Sequence, residues 1–140
     1  GTGTILVVDD EEIIRNMLTE ILQKLGYKVL AAADGREGVE VFEKNHKDID
    51  LVILDMNMPV MGGIETFQKI KEIDPDVRAL LATGFSMAKN TRDILDEGFV
   101  GYITKPFTIN QLSEKIHEVM DADPVCKGAA PVTAIENVIN

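Results

Sequence analysis

The sequence predicts an α/β domain in which a parallel sheet carries helices on both faces. Short apolar runs of strand length alternate with longer segments whose apolar residues recur at helical spacing. Five such strand–helix repeats indicate a parallel sheet, because parallel neighbours need a crossover connection and that crossover is usually a helix. Hydrophobic residues make up 45% of the chain and charged residues 27%, as in globular proteins, and a length of 140 residues favours one domain.

The first third of the chain holds two predicted strands with a helix between them. Ile5 to Val8 is a continuous apolar run, which is typical of a strand covered on both faces. Asp10 is a candidate N-cap for the next helix, in which apolar residues recur from Ile13 to Leu25. Gly26 is expected to end this helix, and Lys28 to Ala32 form the second strand.

The middle of the chain repeats the same order. A turn at Asp34-Gly35 precedes the second helix, and Leu51 to Leu54 form the third strand. The segment from Met56 to Gly63 is rich in turn-forming residues and predicts a loop. Apolar residues from Ile64 to Ile73 then recur at helical spacing and predict the third helix.

The last two repeats complete the predicted sheet. Val77 to Ala82 is the fourth strand, and the more polar segment from Ser86 to Leu95 predicts a weaker helix that Gly98 ends. Gly101 to Thr104 is the fifth strand, and apolar residues from Ile109 to Val119 define a last helix. The domain is expected to span residues 4–120. Residues 121–140 are rich in small residues and proline, and they predict a partly flexible C-terminal tail or linker.

Polar side chains follow four of these strands at the points where the strands end. They are Asp9 and Asp10, Asp55, Thr83, and Lys105 before Pro106. In parallel sheets such residues meet at the carboxyl edge, which is where ligands bind in open α/β folds. Three carboxylates, a hydroxyl and an ammonium group suit a magnesium ion and a phosphoryl group, because Mg²⁺ prefers oxygen ligands and commonly bridges carboxylates and phosphates.

The motifs at these strand ends resemble the receiver domain of two-component response regulators. The resemblance covers Thr4 to about Met120, and the matching segments are Ile5 to Glu11, Ala33-Asp34-Gly35, Leu54 to Pro59, Met61-Gly62-Gly63, Thr83-Gly84 and Lys105-Pro106-Phe107. It implies a flavodoxin-like, doubly wound fold with five parallel strands in the order 2-1-3-4-5 and five helices.

The resemblance also implies a reaction. Asp55 would be the nucleophile that takes a phosphoryl group from a histidine kinase or a histidine phosphotransfer domain. Asp10 and Asp55 would bind Mg²⁺ (or Mn²⁺) directly, Asp9 would act through water, and the backbone carbonyl of Asn57 would supply another ligand. Lys105 would neutralise a phosphate oxygen.

Further roles concern the response to phosphorylation. Thr83 would hydrogen-bond the new phosphoryl group, and Tyr102 would turn inward as the switch aromatic. This movement would alter the surface formed by the fourth helix, the fifth strand and the fifth helix. The peptide bond before Pro106 is expected to be cis.

Simpler interpretations exist for several of these residues. Asp9 and Asp10 could merely favour a helix N-terminus, and Thr83 could cap the helix after it. Tyr102 could be a packed core aromatic. His46 and His117 do not lie at strand ends, so we interpret both as surface histidines.

The same residues bear on two competing functions. A phosphatase of the haloacid dehalogenase type also forms an aspartyl phosphate with magnesium, but it needs a second aspartate where this chain has Asn57. A flavin-binding domain would need a phosphate loop after the first strand, where this chain has acids. As an isolated domain the chain is expected to catalyse only its own phosphorylation and dephosphorylation. Residues 1–10 are similar to the junction that precedes the receiver of a hybrid histidine kinase. A hybrid kinase is therefore expected as the parent chain, and a stand-alone regulator is the second alternative.

The charge of the chain limits its partners. The net charge of −10 and the pI of 4.6 argue against binding to nucleic acid or to an anionic membrane. No signal peptide is expected, and Cys126, the single cysteine, excludes an internal disulfide, so we expect a cytoplasmic location. The expected partners are a histidine kinase or phosphotransfer domain and an unidentified downstream protein. Dimerisation on phosphorylation is left open.

Overall fold

The sheet has the predicted order. The computed structural model describes residues 3–56, 58, 60–84 and 95–121. All neighbouring strands are parallel, in the order β2-β1-β3-β4-β5. The strands are β1 (Thr4–Val8), β2 (Lys28–Ala32), β3 (Leu51–Asp55), β4 (Ala79–Thr83) and β5 (Gly101–Thr104). Strand β3 is therefore central, with two strands on each side.

Four helices lie within the described part of the chain. They are α1 (Glu12–Lys24), α2 (Gly35–Asn45), α3 (Gly63–Ile73) and α4 (Ile109–Asp121). The helix predicted from Ser86 to Leu95 lies outside the described residues except for its last residue, which is helical together with Asp96. The expected tail also lies outside them, apart from Asp121. None of the helices among the described residues is both long and apolar enough to cross a membrane.

The sheet separates two hydrophobic cores. On one face, α1 and α4 pack against the sheet through Leu18, Leu22, Leu112, Ile116 and Val119. On the other face, α2 and α3 pack through Phe42, Phe67 and Ile70. Strand side chains alternate between the two cores, as the period of two along a strand requires. This is the doubly wound arrangement that the strand–helix alternation predicts.

Two local predictions were wrong. Asp10 does not cap α1: the N-cap is Glu11, and the carboxylate of Asp9 accepts a hydrogen bond from the Glu11 amide. Strand β4 begins at Ala79 rather than Val77, because residues 74–77 form a turn. In that turn Asp74 accepts a bond from the Val77 amide to its carbonyl and one from the Asp76 amide to its carboxylate. The prediction for Gly26 was correct, since it follows the C-cap of α1 with φ of 101°.

Val60, in the loop between β3 and α3, has a left-handed backbone. Its φ is 72°, and its side chain is 79% exposed. A β-branched residue is disfavoured there, because its Cβ crowds the neighbouring carbonyl, at a cost of about 1–2 kcal/mol. No burial of the side chain offsets this cost. Val60 lies in the loop that follows Asp55 and precedes α3.

We expect Val60→Asn to raise the free energy of unfolding by about 1 kcal/mol, because asparagine tolerates the left-handed region. Urea denaturation would measure the change. Val60→Thr is the matched control, since threonine removes exposed apolar surface but keeps the branched Cβ, and it should give no gain. Equal stability of the two variants would show that the backbone of Val60 is not strained.

Candidate functional site

The site is built on the carboxyl end of the sheet as an extension of the core. On the face covered by α1 and α4, three rows of buried side chains each continue, two residues further along, into a charged side chain. The pairs are Val7 and Asp9, Ile53 and Asp55, and Ile103 and Lys105. The period of two therefore delivers two acids and a base to one edge of one face. Their backbone positions follow from the same registers that form the core.

Lys105 joins the two buried acids. Its Nζ lies 3.1 Å from Oδ2 of Asp9 and 3.0 Å from Oδ1 of Asp55. Asp9 is 1% exposed and Asp55 7% exposed, so both carboxylates have lost most of their water. Glu11, which is mostly exposed, lies 4.0 Å from the same Nζ. Burying two carboxylates this close together is costly unless a cation is shared between them, and Lys105 is that cation in the structure.

Asp9 is held at every polar group. Its amide donates to the carbonyl of Ala32 over 3.2 Å, and its Oδ1 accepts from the amide of Glu11 over 2.9 Å. Its carbonyl accepts from Nη1 of Arg15 over 2.8 Å, while Oδ2 bonds to Lys105. These bonds fix both the backbone and the side chain of Asp9. The first acid of the pair is thus a rigid part of the turn between β1 and α1.

Asp10 completes a set of three acids that fits a divalent cation. Oxygen atoms of Asp9, Asp10 and Asp55 all lie within 4.8 Å of one another, and Asp10 is exposed while the other two are buried. Carboxylate oxygens without sulfur or imidazole suit Mg²⁺, Mn²⁺ or Ca²⁺. The exposed third acid leaves an approach from solvent. The residues present therefore fit a hard divalent metal, and Lys105 already occupies a cation's place between two of them.

Burial dominates the acidity of Asp55. The pKa of this carboxyl is raised from 3.8 to about 6, and burial is the largest cause. The hydrogen bond and the charge of Lys105 lower the pKa, while the negative charge of Asp9 and a hydrogen bond with Asp10 contribute to its rise. One ammonium group is not enough to offset burial and two neighbouring acids. For Lys105 the balance is opposite: burial alone would lower its pKa, but bonds to and charges on Asp55 and Asp9 outweigh burial and raise it.

Thr83 and Tyr102 lie on the other face of the sheet. Thr83 pairs with Thr104 and Leu81 pairs with Tyr102 across β4 and β5, so these four side chains share a face. Thr83 is completely buried, and within the described part of the chain its hydroxyl has no hydrogen-bond partner. Tyr102 is half-buried against the core covered by α2 and α3.

The remaining predicted positions have different outcomes. Asn57 lies outside the described residues. The bond between Lys105 and Pro106 is cis, as expected from the resemblance. At Gly84, which continues the row of Leu80 and Ala82, an added Cβ would meet no atom within 4 Å. The edge of the sheet beside Asp55 is therefore open among the described residues.

Sequence reasoning missed two residues of the site, Glu11 and Arg15. Glu11 lies close to Lys105, and Arg15 reaches back from α1 to the carbonyl of Asp9. A signal for Arg15 was present in the sequence, since it stands four residues after Glu11 at the start of the predicted helix. Side chains in a helix point toward its N-terminus, which aims this arginine at the end of β1.

Comparisons with known proteins agree with this geometry. The sequence model of the response regulator receiver domain matches residues 5–117. The chain is 36% identical over 118 residues to the chemotaxis protein CheY of Halobacterium salinarum, a match that covers 84% of this chain and 97% of that protein. It is 30% identical over 121 residues to the sensor kinase CckA of Brucella abortus, which covers 86% of this chain.

A solved structure shares the fold. The CheX-CheY-BeF3-Mg complex from Borrelia burgdorferi matches with a TM-score of 0.81 and 29% identity, over 86% of this chain and 90% of that chain. The chain spans only 13% of the length of CckA, whereas it spans nearly all of CheY. None of these proteins supports the haloacid dehalogenase alternative.

Replacing Asp55 by asparagine should stabilise the metal-free fold. The pKa of Asp55 is higher in the folded chain than in the unfolded chain, so the ionised carboxylate destabilises the fold above about pH 6 and this penalty vanishes below about pH 4. We expect Asp55→Asn to raise the free energy of unfolding by about 1–3 kcal/mol at neutral pH without divalent ions. Urea denaturation across this pH range measures it. Asp48→Asn, at an exposed acid, controls for net charge, and a destabilised Asp55→Asn at neutral pH would contradict the account.

Removing the shared cation should have the opposite effect. Lys105→Met removes the cation shared by two buried carboxylates and should lower the free energy of unfolding by about 3–5 kcal/mol without divalent ions. Added Mg²⁺ should restore part of this loss, because it supplies the missing positive charge. The control is Lys24→Met, which breaks a pair exposed to solvent and should cost less than about 1 kcal/mol. Equal losses in the two variants would show that Lys105 does not balance the acids.

Proposed function

This chain belongs to the response regulator receiver domain family, and we propose that Asp55 is the aspartate on which it accepts a phosphoryl group. Members of the family are phospho-accepting signalling modules, and this chain is one of them. The observation that supports Asp55 most directly is its place at the end of the central strand, 3.0 Å from Lys105 and within reach of two further acids. Both carboxylate oxygens of Asp9 are hydrogen-bonded, one to the Glu11 amide and one to Lys105, and Asp10 is exposed to solvent.

The proposed reaction transfers a phosphoryl group from a phosphohistidine. The P–N bond of the donor breaks, a P–O bond to a carboxylate oxygen of Asp55 forms, and the histidine nitrogen takes a proton. Asp10 and Asp55 would bind Mg²⁺ directly, with Asp9 through water and the carbonyl of Asn57 as another ligand. Bound magnesium would neutralise charge between the acids and the incoming phosphate.

Lys105 would change partners during this reaction. In the structure its ammonium group bonds to Asp9 and Asp55. A divalent cation among the acids would take over that charge balance, and the ammonium group would be released to a phosphoryl oxygen. The same side chain would thus stabilise the resting acids and then the product. Its flexible four-carbon stem suits such a movement.

We propose that Thr83 and Tyr102 couple the site to a distant surface. A buried hydroxyl without a hydrogen-bond partner destabilises the fold by about 1–3 kcal/mol. A phosphoryl oxygen on Asp55 would accept a hydrogen bond from the unpartnered hydroxyl of Thr83. Because Thr83 and Tyr102 share a face of neighbouring strands, movement of the first side chain would change the space available to the second. The affected surface would comprise the fourth predicted helix (residues 86–95), β5 and the last helix, α4.

Contacts just after residues 86–95 support this coupling between Thr83 and the distant surface. Lys71 in α3 donates from Nζ to the carbonyl of Glu97 over 2.9 Å, and the rings of Phe67 and Phe99 lie 4.1 Å apart. The chain is therefore anchored to α3 just after the predicted helix and to the sheet just before it, at Thr83. A change at Thr83 would act on a segment that is held at its other end.

The partners and setting are part of the proposal. The donor would be a histidine kinase or a phosphotransfer domain, in the cytoplasm where ATP supplies the phosphoryl group. We propose that residues 4–120 are the receiver of a hybrid histidine kinase, a transferase, with residues 121–140 as its tail. The match to a small part of CckA supports this arrangement, and the match along the whole of CheY supports the stand-alone alternative.

Phosphorylation by acetyl phosphate tests the proposal. The intact mass should increase by one phosphoryl group only when magnesium is present, because the donor and acceptor are both anionic. Asp55→Asn should abolish the gain, and Asp48→Asn, a matched change at an exposed acid, should leave it intact. A gain that persists in Asp55→Asn would assign the acceptor to another residue, and no gain with any small phosphodonor would refute the proposed reaction.

A further inference from the structure

We propose that Arg15 is a positioning residue for the metal site. Its guanidinium group holds the peptide bond between Asp9 and Asp10 and so sets the relative placement of the two carboxylates. The inference rests on the proposed function, because the metal that these carboxylates would bind belongs to that proposal. Within the part of the chain that the structure describes, Arg15 forms no ion pair with the carboxylates of Asp9, Asp10 or Asp55.

The contact is short and specific. Nη1 of Arg15 donates to the carbonyl oxygen of Asp9 over 2.8 Å, and the arginine is half-buried. The amide of Arg15 bonds to the carbonyl of Glu11, so its side chain starts one helical turn after the N-cap of α1. From there it extends back toward the end of β1, as helical side chains do. A rigid helix therefore carries the donor that holds the loop.

The carbonyl bonded by Arg15 controls the relative orientation of Asp9 and Asp10. It belongs to the peptide plane that connects Asp9 to Asp10, and rotation of this plane would change the direction of the Asp10 side chain. The other groups of Asp9 are fixed by Ala32, Glu11 and Lys105. Arg15 supplies the remaining constraint. Since the acids are ligands that must converge within a few ångströms, a small rotation would separate them.

Arg15 and Lys105 therefore act differently on a metal. Lys105 bonds to carboxylate oxygens of Asp9 and Asp55, and it would compete with a divalent ion for them. Arg15 bonds to a backbone carbonyl, so this bond occupies no carboxylate oxygen. Outer residues that orient metal ligands in this way change metal affinity by about 10–100-fold when they are replaced.

The charge of Arg15 and its positioning of the acids would change magnesium affinity in opposite directions, which makes the proposal testable. A guanidinium group is always charged, and its positive charge alone would repel Mg²⁺. If charge were its main effect, removing Arg15 would tighten magnesium binding. If positioning dominates, as we propose, removing Arg15 weakens magnesium binding although it removes a repulsive charge.

The test measures magnesium affinity in Arg15→Met and Arg15→Lys. Calorimetry on the unphosphorylated chain should show a dissociation constant about 10–100-fold higher for Arg15→Met, and a smaller increase for Arg15→Lys, which keeps a donor. The half-saturating magnesium for phosphorylation by acetyl phosphate should rise in parallel, while the rate at saturating magnesium changes by less than about threefold. Lys24→Met, at the exposed far end of α1, controls for the lost charge and should keep the wild-type affinity.

Several results would overturn the inference. An unchanged or lower dissociation constant in Arg15→Met, or a loss confined to the saturating rate, would contradict a positioning role. If Arg15→Met does not fold, as judged by circular dichroism, Arg15→Gln decides, because its shorter side chain cannot reach the carbonyl of Asp9, and wild-type magnesium affinity in that variant would overturn the proposal. Absence of magnesium binding by the wild-type chain would instead refute the proposed function. The failure of the proposed function and the failure of this inference therefore give different results.

Discussion

The confinement of two carboxylates beside one ammonium group governs this domain. Asp9 and Asp55 are buried at the end of the sheet, and Lys105 lies within 3.1 Å of both. Such a cluster is costly to fold, because burial and mutual repulsion outweigh one cation, and the raised pKa of Asp55 expresses that cost. The site therefore has an incomplete balance of charge at neutral pH. A divalent cation would complete it, which links metal binding to the stability of the resting fold.

The two faces of the sheet end in different sets of polar residues. The face covered by α1 and α4 ends in Asp9, Asp55 and Lys105, which would perform the chemistry. The opposite face carries Thr83 and Tyr102, which would transmit the result. Thr83 is the last residue of β4, so its unpaired hydroxyl lies at the same edge of the sheet as the acids. It points to the opposite face, because side chains alternate between faces along a strand. A change at that edge can reach the second face within a single strand.

The sequence was sufficient for the architecture and for the acids, and less so for their local partners. Apolar runs predicted every strand within two residues, because burial on both faces leaves little choice of residue. The capping role given to Asp10 was wrong, since the carboxylate of Asp9 instead bonds the Glu11 amide. Arg15 was missed because hydrophobic periodicity does not report a polar bond from a helical side chain to a carbonyl six residues earlier, although its position four residues after Glu11 was a signal. The displaced start of β4 reflects turn bonds of Asp74, which compete locally with strand pairing.

The most direct test is a structure of the chain with magnesium and beryllofluoride, which mimics a phosphoryl group on an acidic oxygen. The account predicts the beryllium on a carboxylate oxygen of Asp55, the ion among the three acids, and Nζ of Lys105 moved from Asp9 to a fluoride. Beryllofluoride bound to another residue would contradict the account, as would a Lys105 that still bridges Asp9 and Asp55 in the complex.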